Sequence, residues 1–478
     1  MAQRGVVEEM GADRLSERQR SLAFVTILIA FVMDVVDSTI VNTALPAIQS
    51  ALAASDRAMQ WVVSGYFLTF AVLLVVGGRL GDLFGYARMF VIGVIGFTLA
   101  SLACGLAVDG GALSVARLAQ GAAAALMAPQ GVALIQLLYT PSERIGRLAA
   151  FGVIGGLAAI GGPVIGGMLI EWSPFGLGWR SVFLINLPFG VMALIAGLTL
   201  LPRGRSGHAL RPDIPGSLLL FGALGSLLLP LIEGRSAGWP WWTAALGLAS
   251  IALWWAFWRY EVTRRATIGS ALIEPSLFAD PSFRIGLAAT TGFAIASGGF
   301  LLTFSLTLQQ GLGHAPIDVA LLHIPFGLGV MAGISQIGRK ALPRHGRRVP
   351  MAGAVTMAAG CLSTALAILL TMPPVAIGAA LLVAGIGMGT LSGPLGPITL
   401  ARVDRNHAGV AGATHKTVQQ IGGALGTALI ATVYFTIVPG HATERATQAF
   451  MVATAIVALD LLALAWLLRR LPERLFDR

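Results

Sequence analysis

The chain is built from long apolar runs that are separated by short polar connections. A membrane-spanning helix needs roughly 20 mostly apolar residues, and fourteen runs meet this need. They lie at about 21–45, 60–80, 89–108, 112–138, 149–170, 182–201, 214–232, 241–258, 285–308, 318–338, 350–370, 374–399, 408–438 and 447–468. The pattern therefore predicts an all-α polytopic membrane protein with fourteen transmembrane helices, and an even number places both termini on one side.

The basic residues predict which side this is. Of the 32 Lys and Arg residues, 26 lie in the two terminal segments and in the connections after helices 2, 4, 6, 8, 10 and 12, whereas the opposite connections hold four. Cytoplasmic loops are enriched in Lys and Arg, so we expect a protein of the cytoplasmic membrane with both termini in the cytoplasm. A net charge of +10 by itself suggests nucleic-acid binding. The placement of the basic residues instead explains the positive charge as the bias that orients the protein in the membrane.

Composition excludes a soluble enzyme, since 11% of the residues are charged where soluble domains have about 25%. Cys104 and Cys361 lie far apart in apolar stretches, and the sequence shows no metal-ligand spacing of Cys or His. The two lysines, Lys340 and Lys416, do not follow the glycine spacing of a phosphate-binding loop. We therefore expect no enzymatic activity, no metal and no cofactor.

Two polar connections, 202–213 and 259–281, flank an extra pair of helices and leave six helices on each side. This predicts, in order, a cytoplasmic tail (1–20), a six-helix bundle (21–201), a linker with two extra helices (202–284), a second six-helix bundle (285–470) and a second cytoplasmic tail (471–478). The stretch 338–348 after helix 10 looks like a degenerate copy of 78–88 after helix 2. Such a repeat is typical of secondary transporters.

The stretch 78–88 (GRLGDLFGYAR) is a tight connection that contains Gly78, Asp82, Gly85 and Arg88. Its glycines allow close approach of helices, and Asp82 can favour a helix start or pair with Arg88. The stretch resembles the helix 2–3 signature of the major facilitator superfamily, although Leu83 stands where a basic residue is usual. The resemblance implies a conformational role for these residues.

Further motifs narrow the resemblance. The stretch 117–121 (RLAQG) resembles the arginine signature of proton-coupled members, and 158–167 (AAIGGPVIGG) resembles the glycine-proline signature of antiporters. The second motif contains four gating candidates: Gly162, Pro163, Gly166 and Gly167. The stretches 37–46, 179–188 and 308–313 resemble the fourteen-helix drug:proton antiporters of the EmrB/QacA type.

That resemblance covers roughly residues 21 to 470. It implies a major facilitator fold of two six-helix bundles plus an inserted pair, and export of drugs or small metabolites by alternating access. The energy source would be the proton gradient, and the partners would be protons, membrane lipid and an amphipathic small molecule, with no nucleic acid. A periplasmic adaptor stays open.

Ionisable residues within the spans are the first candidates for function, because each costs at least about 2.5–3.5 kcal/mol at the bilayer centre. Asp34 and Asp37 share one face of helix 1, and Arg117 in helix 4 lies at a depth similar to that of Asp37. Either aspartate can pair with Arg117 if helices 1 and 4 line one cavity, as the resemblance implies. We expect at least one aspartate to carry the coupled proton, the alternative being that Asp37 and Arg117 only fix the two helices.

Five further residues within the spans are candidates for function. His323 in helix 10 is either a second proton site or a packing histidine, and Gln120 and Gln130 either reach substrate or bond neighbouring helices. His415 and Lys416 in helix 13 depart from the family pattern. Lys416 either snorkels to the interface or faces the cavity, where it would repel organic cations and favour anionic or neutral substrates.

Two other functions compete with proton-driven export. One is a facilitator or importer of the same fold, which the glycine-proline motif in helix 5 argues against. The other is a membrane sensor without transport, which the lack of an evident soluble domain disfavours.

Overall fold

The computed structural model describes residues 15–202, 213–234, 237–268, 271–403, 408–438 and 443–472. Its long helices are numbered here in chain order. They are α1 Glu17–Leu52, α2 Asp56–Phe84, α3 Tyr86–Gly105, α4 Gly110–Leu138, α5 Pro141–Trp172, α6 in two segments (Ser181–Leu184 and Asn186–Leu200), α7 Ile214–Glu233, α8 Trp241–Ile268, α9 Pro281–Leu306, α10 Pro316–Ala332, α11 Arg348–Leu369, α12 Pro374–Leu400, α13 Ala408–Ile437 and α14 Thr443–Leu468. The predicted all-α fold is confirmed.

Thirteen of the described helices are long and apolar enough to cross a membrane. The exception is α8, which has 28 residues and so spans about 42 Å. Its five tryptophans and its charged last turns make it less apolar, because the indole N–H is polar. It packs along α7, so the helix predicted at 241–258 is present, whereas its own composition does not mark it as a span.

Several helices run past the predicted apolar cores, and α1 shows why. It was predicted over 21–45 but starts at Glu17, where Ser16 and Gln19 form a capping box, and continues through Pro46 to Leu52. Capping residues satisfy the unpaired N–H groups of a first turn, so a helix extends into polar sequence when such a cap is available. Hydropathy alone does not register this extension.

The two six-helix bundles share one packing scheme. In the first, α1 packs on α5, α2 on α4, and α3 on both α4 and α6. In the second, α9 packs on α13, α10 on α12, and α11 on both α12 and α14. Each pair of the second bundle is the first-bundle pair shifted by eight helices, as an internal repeat requires.

The bundles meet along two seams, α2 with α13 and α5 with α10. We call the side that carries the starts of α1 and α9 the termini side, and the other the far side. On the far side, Gln309 Nε2 donates to the Thr43 carbonyl (3.0 Å) and Gln310 Nε2 donates to Gln49 Oε1 (2.7 Å). These hydrogen bonds hold the far ends of the two bundles together.

The inserted pair α7–α8 is attached to both bundles, since α7 contacts α2 and α13. Glu233 near the far end of α7 binds Arg57 (2.8 Å) and accepts a hydrogen bond from Trp61 Nε1 (3.0 Å), both on α2. From α13, Thr432 Oγ1 donates to the Leu231 carbonyl (2.8 Å). The pair therefore lies over the α2–α13 seam.

The termini-side end of α8 fixes the linker to the second bundle. Glu261, fully buried and beyond the predicted span, accepts the backbone N–H groups of Leu272 (2.6 Å) and Ile273 (3.1 Å). Nearby, Arg264 pairs with Asp213 at 2.5 Å. Burial raises the pKa of the Glu261 carboxyl to about 7, and the neighbouring Asp213 acts in the same direction, against the lowering by the two N–H donors.

Candidate functional site

A buried ion pair lies in the middle of the first bundle. Arg117 on α4 is 1% exposed and Asp37 on α1 is 0% exposed, and Arg117 Nη1 lies 2.5 Å from Asp37 Oδ2. Arg117 Nε donates to the Val62 carbonyl of α2 (3.0 Å), and its guanidinium lies 4.3 Å from the centre of the Tyr66 ring. Of the two pairings considered from sequence, the structure thus forms Asp37–Arg117.

Amide side chains from other helices complete the coordination of Asp37. Its Oδ1 accepts hydrogen bonds from Gln120 Nε2 (2.8 Å) and from Asn186 Nδ2 (2.9 Å) at the start of the long segment of α6. Ser101 Oγ of α3 accepts from both amides, at 2.8 and 3.2 Å. We call Asp37, Arg117, Gln120, Ser101 and Asn186 the ionic centre. The ionic centre joins α1, α3, α4 and α6. A buried ion pair is tolerated when further hydrogen bonds satisfy its remaining polar groups, and side chains from these helices provide them.

Asp34 stands apart from the ionic centre, one turn nearer the termini side of α1. It is 6% exposed, and its Oδ1 accepts a short hydrogen bond from the Tyr66 hydroxyl. Among the described residues, Tyr66 is its hydrogen-bond partner, and this partner is neutral. Asp34 therefore has fewer hydrogen-bond partners than Asp37 in the described structure, and no ion-pair partner within 4 Å.

Gln120 and Gln130 occupy different surroundings on α4. Gln120 is 0% exposed and is bonded within the ionic centre. Gln130 Nε2 donates to the Gly77 carbonyl (2.6 Å), and its amide lies so close to Gly81 that a Cβ there would overlap it. Both amides thus bond neighbouring helices in this conformation, and a role in substrate binding stays a prediction.

His323 on α10 is buried among aromatic residues. Its Nδ1 lies 2.8 Å from the Val319 carbonyl of the preceding turn, and its ring meets Phe304 edge-on, with centroids 5.5 Å apart. Phe304 also packs on Phe450 of α14. These contacts match the packing alternative, and a proton site at His323 stays a prediction.

His415 and Lys416 start the buried part of α13 and point in different directions. His415 Nδ1 lies 3.4 Å from Thr290 Oγ1 on α9. Lys416 Nζ donates to Gln419 Oε1 of its own helix (3.2 Å), and its charge interacts with that of Asp34. Both alternatives for Lys416, the interface and the cavity, stay predictions.

The connection between α2 and α3 differs in one contact from the sequence expectation. Gly85 adopts φ 97° and separates the two helices, a conformation that favours glycine. Asp82 does not pair with Arg88 in the described structure. It accepts a hydrogen bond from the Tyr86 hydroxyl (2.8 Å) and lies 4.0 Å from Arg79, because the turn at Gly85 brings the first residue of α3 over Asp82 and leaves Arg88 exposed.

The glycine-proline motif of α5 lies between two neighbours. A Cβ at Gly162 would be 2.0 Å from Thr39 Oγ1, and one at Gly166 would be 2.7 Å from Ile40, so α5 packs closely on α1. A Cβ at Gly167 would be 2.5 Å from the Cβ of Ala320 on α10. Pro163 lies within the helix between these contacts. The motif therefore forms part of a bundle seam, where small residues permit close approach.

Three residues of the site were missed from the sequence: Tyr66, Ser101 and Asn186. Only Asn186 had a usable signal, because it interrupts the apolar run Leu184 to Leu187. Tyr66 and Ser101 are of types that are common in transmembrane helices, and their direction depends on how the helices rotate against each other.

Comparisons with known proteins agree with this architecture. A family model described as Major Facilitator Superfamily matches residues 27–218 and 215–427. The chain is 40% identical to a probable actinorhodin transporter of Streptomyces coelicolor, covering 89% of this chain and 74% of that protein. It is 36% identical to a puromycin resistance protein of Streptomyces alboniger, covering 89% and 84%.

Solved structures show the same fold. The D-xylose-proton symporter aligns with a TM-score of 0.67 at 12% identity, over 95% of this chain and 99% of that one. A bacterial homologue of the human lysosomal transporter Spinster, inward-facing and occupied, aligns with 0.67 at 16% identity, over 95% and 97%. Matching family models over both halves and relatives of this similarity place the chain, a multi-pass membrane protein, in the major facilitator superfamily, among its drug-efflux transporters.

Proposed function

We propose that this protein exports a small molecule from the cytoplasm in exchange for protons, by alternating access. It would lie in the cytoplasmic membrane with both termini inside, in keeping with the 26 basic residues on that side. The proton gradient would supply the energy, without a cofactor or a chemical conversion of the substrate. The names of the two relatives favour an antibiotic-like, amphipathic substrate.

The observation that carries the proposal is the difference in bonding partners between two neighbouring carboxylates, Asp34 and Asp37. Asp37 is held by a cation and two amides inside the ionic centre, so protonating it would strand Arg117 in an apolar bundle. Asp34 is bonded by the neutral hydroxyl of Tyr66 and loses less when it accepts a proton. We therefore assign the proton to Asp34 and a positioning role to Asp37 and Arg117.

The cycle follows from this assignment. When the far side is open, an external proton neutralises Asp34, and the bundles rock until the termini side opens. The proton then leaves to the cytoplasm, and substrate enters the cavity in its place. When the bundles rock back with substrate bound, the substrate is released on the far side. The proton gradient drives this exchange as long as the carrier does not hold the proton and the substrate at the same time.

Everted membrane vesicles test the proposal. Radiolabelled puromycin and actinorhodin are offered while respiration acidifies the lumen, and we expect accumulation of at least one of them that a protonophore abolishes. Asp34→Asn should lose accumulation but keep exchange of labelled for unlabelled substrate, whereas Asp318→Asn, an exposed aspartate of α10, serves as the matched control. Equilibration without accumulation would indicate a facilitator, and accumulation with full gradient dependence in Asp34→Asn would refute the assignment of the proton.

A further inference from the structure

A groove on the surface of the second bundle lies between α11 and α14. Its volume is about 480 Å³, within the range of ligand sites in proteins, roughly 300–1,000 Å³. The two helices run in opposite directions, so the start of α11 and the end of α14 meet on the termini side. Residues that line the groove include Arg348, Met351 and Val355 of α11 and Leu462, Trp466 and Arg469 of α14.

The lining changes from charged to apolar along the groove. Arg348 is the first residue of α11, and Arg469 directly follows the last residue of α14, so both lie at the termini-side end. Trp466 lies about one helical turn deeper than Arg469, and indole rings in membrane proteins are enriched at the level of the lipid headgroups. Val355 and Leu462 are each seven residues, or about 10 Å, deeper than the arginines. The groove thus follows the order of a phospholipid, from charged headgroup to apolar chains.

The two arginines are available to a ligand. Neither Arg348 nor Arg469 forms an ion pair with another described residue, and both side chains are exposed. Arg347 instead serves the protein itself, because its Nη1 donates to the carbonyl groups of Arg469 (2.7 Å) and Leu471 at the end of α14. Helix-terminal carbonyls repel an anion, and Arg347 offsets this repulsion at the mouth of the groove.

The deeper part of the groove presents apolar surface. Val355, Leu462 and Trp466 are between 45% and 56% exposed. Beyond the groove, exposed apolar residues continue along the same two helices, with Leu366 on α11 and Leu459 on α14. In a multi-pass membrane protein such surface contacts acyl chains, so the groove opens onto a path for them.

We propose that this groove binds one anionic phospholipid from the leaflet on the termini side. Its phosphate would lie within reach of Arg348 and Arg469, since guanidinium groups bind phosphate through paired N–H donors, and its acyl chains would follow α11 and α14. The proposal does not depend on proton antiport. It uses the membrane location of the chain and the side predicted from the basic residues, because basic pockets between helices on the cytoplasmic side bind anionic headgroups.

The chemistry of the groove favours this lipid over two related ligands. A free phosphate ion would leave the apolar surface of Val355 and Leu462 uncovered. A zwitterionic phospholipid would bring its own cation toward Arg348 and Arg469, and like charges repel each other. An anionic phospholipid avoids both costs.

Site-specific quenching tests the proposal. Val355→Cys places a thiol in the groove, and a bimane label reacts with this thiol because Cys104 and Cys361 are buried. The labelled full-length protein is reconstituted into phosphatidylcholine bilayers that contain increasing fractions of dibrominated phosphatidylglycerol or, for comparison, dibrominated phosphatidylcholine. We expect binding at this position to favour phosphatidylglycerol on the order of thirtyfold, about fivefold for each arginine. The same label in Leu99→Cys, on the exposed face of α3, should show no such preference.

Substitution of the arginines identifies the cause of the preference. Arg348→Gln combined with Arg469→Gln should abolish it, whereas Arg18→Gln combined with Arg284→Gln, two exposed arginines elsewhere on the termini side, should leave it unchanged. If the first double variant elutes as aggregate on gel filtration, the two single variants are measured, and each should lose about fivefold. Equal quenching by both lipids in the parent protein, or a preference that persists without the arginines, would overturn the proposal.

Two further arms identify other occupants. Inorganic phosphate added to the bilayers should not reduce quenching by phosphatidylglycerol, and a large reduction would show that the site takes a free anion. Residues 473–478 lie outside the described residues and follow α14 directly in the sequence. A chain that ends at residue 472 should bind the lipid as the parent protein does. Quenching that appears only in this shortened chain would show that the tail, and not a lipid, occupies the groove.

Discussion

Removing the charge of Asp37 should destabilise the folded protein strongly, because it leaves Arg117 buried without a counter-ion. In Asp37→Asn the shape is kept, but one carboxylate oxygen becomes an NH2 group. That group has to face either Arg117 or the amide donors of Gln120 and Asn186, which lie 2.8 and 2.9 Å from Asp37 Oδ1. Hydrogen-bond donors then face other donors in a site where Asp37 and Arg117 are fully buried.

The magnitude follows from the burial of the pair. Breaking a buried ion pair at one partner costs about 3–5 kcal/mol, and Arg117 keeps the Val62 carbonyl, Gln120 Oε1 and the Tyr66 ring as partners. We therefore expect about 3 kcal/mol, a folding equilibrium lower by roughly two orders of magnitude. Asp318→Asn, which removes an exposed carboxylate from the first turn of α10, should cost less than about 1 kcal/mol.

The assay is reversible unfolding of the purified protein by increasing the mole fraction of sodium dodecyl sulfate in mixed micelles, followed by tryptophan fluorescence. The double variant Asp37→Asn with Arg117→Gln removes both charges and should be more stable than Asp37→Asn alone. A single variant within about 1 kcal/mol of the parent protein would refute the reasoning, as would a double variant that is less stable than the single one.

Three further outcomes are expected. Gly162→Ala should lower transport and reduce the free energy of unfolding by about 1–3 kcal/mol, because the added methyl group overpacks against Thr39. Gly161→Ala, on the open side of α5, should change neither transport nor stability. Equal effects of the two substitutions in unfolding and uptake assays would contradict this. Because folding raises the pKa of Glu261 to about 7, the folded state binds more protons, and the stability contributed by the protonated carboxyl should be lost as pH rises from about 4.3 to 7. Glu261→Gln should flatten this part of the melting-temperature profile between pH 5 and 8, and a profile that keeps its slope would exclude Glu261 as the cause. Lys416→Ala should raise export of the cationic dye tetramethylrhodamine methyl ester relative to the anionic dye fluorescein, which has the same ring system, and an unchanged ratio would show that Lys416 does not act on substrate charge.

Long apolar runs made the helices predictable, since the bilayer fixes both their length and their composition. A pairing of Arg117 with Asp34 or Asp37 was also accessible, because counting about 1.5 Å per residue along two helices places Arg117 and Asp37 at one depth. Which of the two aspartates pairs with Arg117 appeared only in the structure. The rotation of each helix was not accessible. For this reason the amide of Gln130 on Gly77 and the hydroxyl of Tyr66 on Asp34 appear only when the helices are packed, although both residues lie within predicted spans.

The position of α8 is a second feature that the sequence did not predict. Its tryptophans reduce its apolar character, yet it is held in place by α7, and α7 by contacts with both bundles. Sequence position alone predicted an inserted pair. It did not predict where around the twelve other helices the pair would lie.

The position of the inserted pair has a consequence for lipophilic compounds. A major facilitator with two equivalent seams offers a compound dissolved in the bilayer two lateral paths between the bundles. In the described part of the chain α7 covers the α2–α13 seam through Glu233 and Leu231, whereas the inserted pair is not among the elements that pack substantially on α5 or α10. If the protein exports such compounds, we expect them to enter from the lipid along the α5–α10 seam, past the glycines of α5.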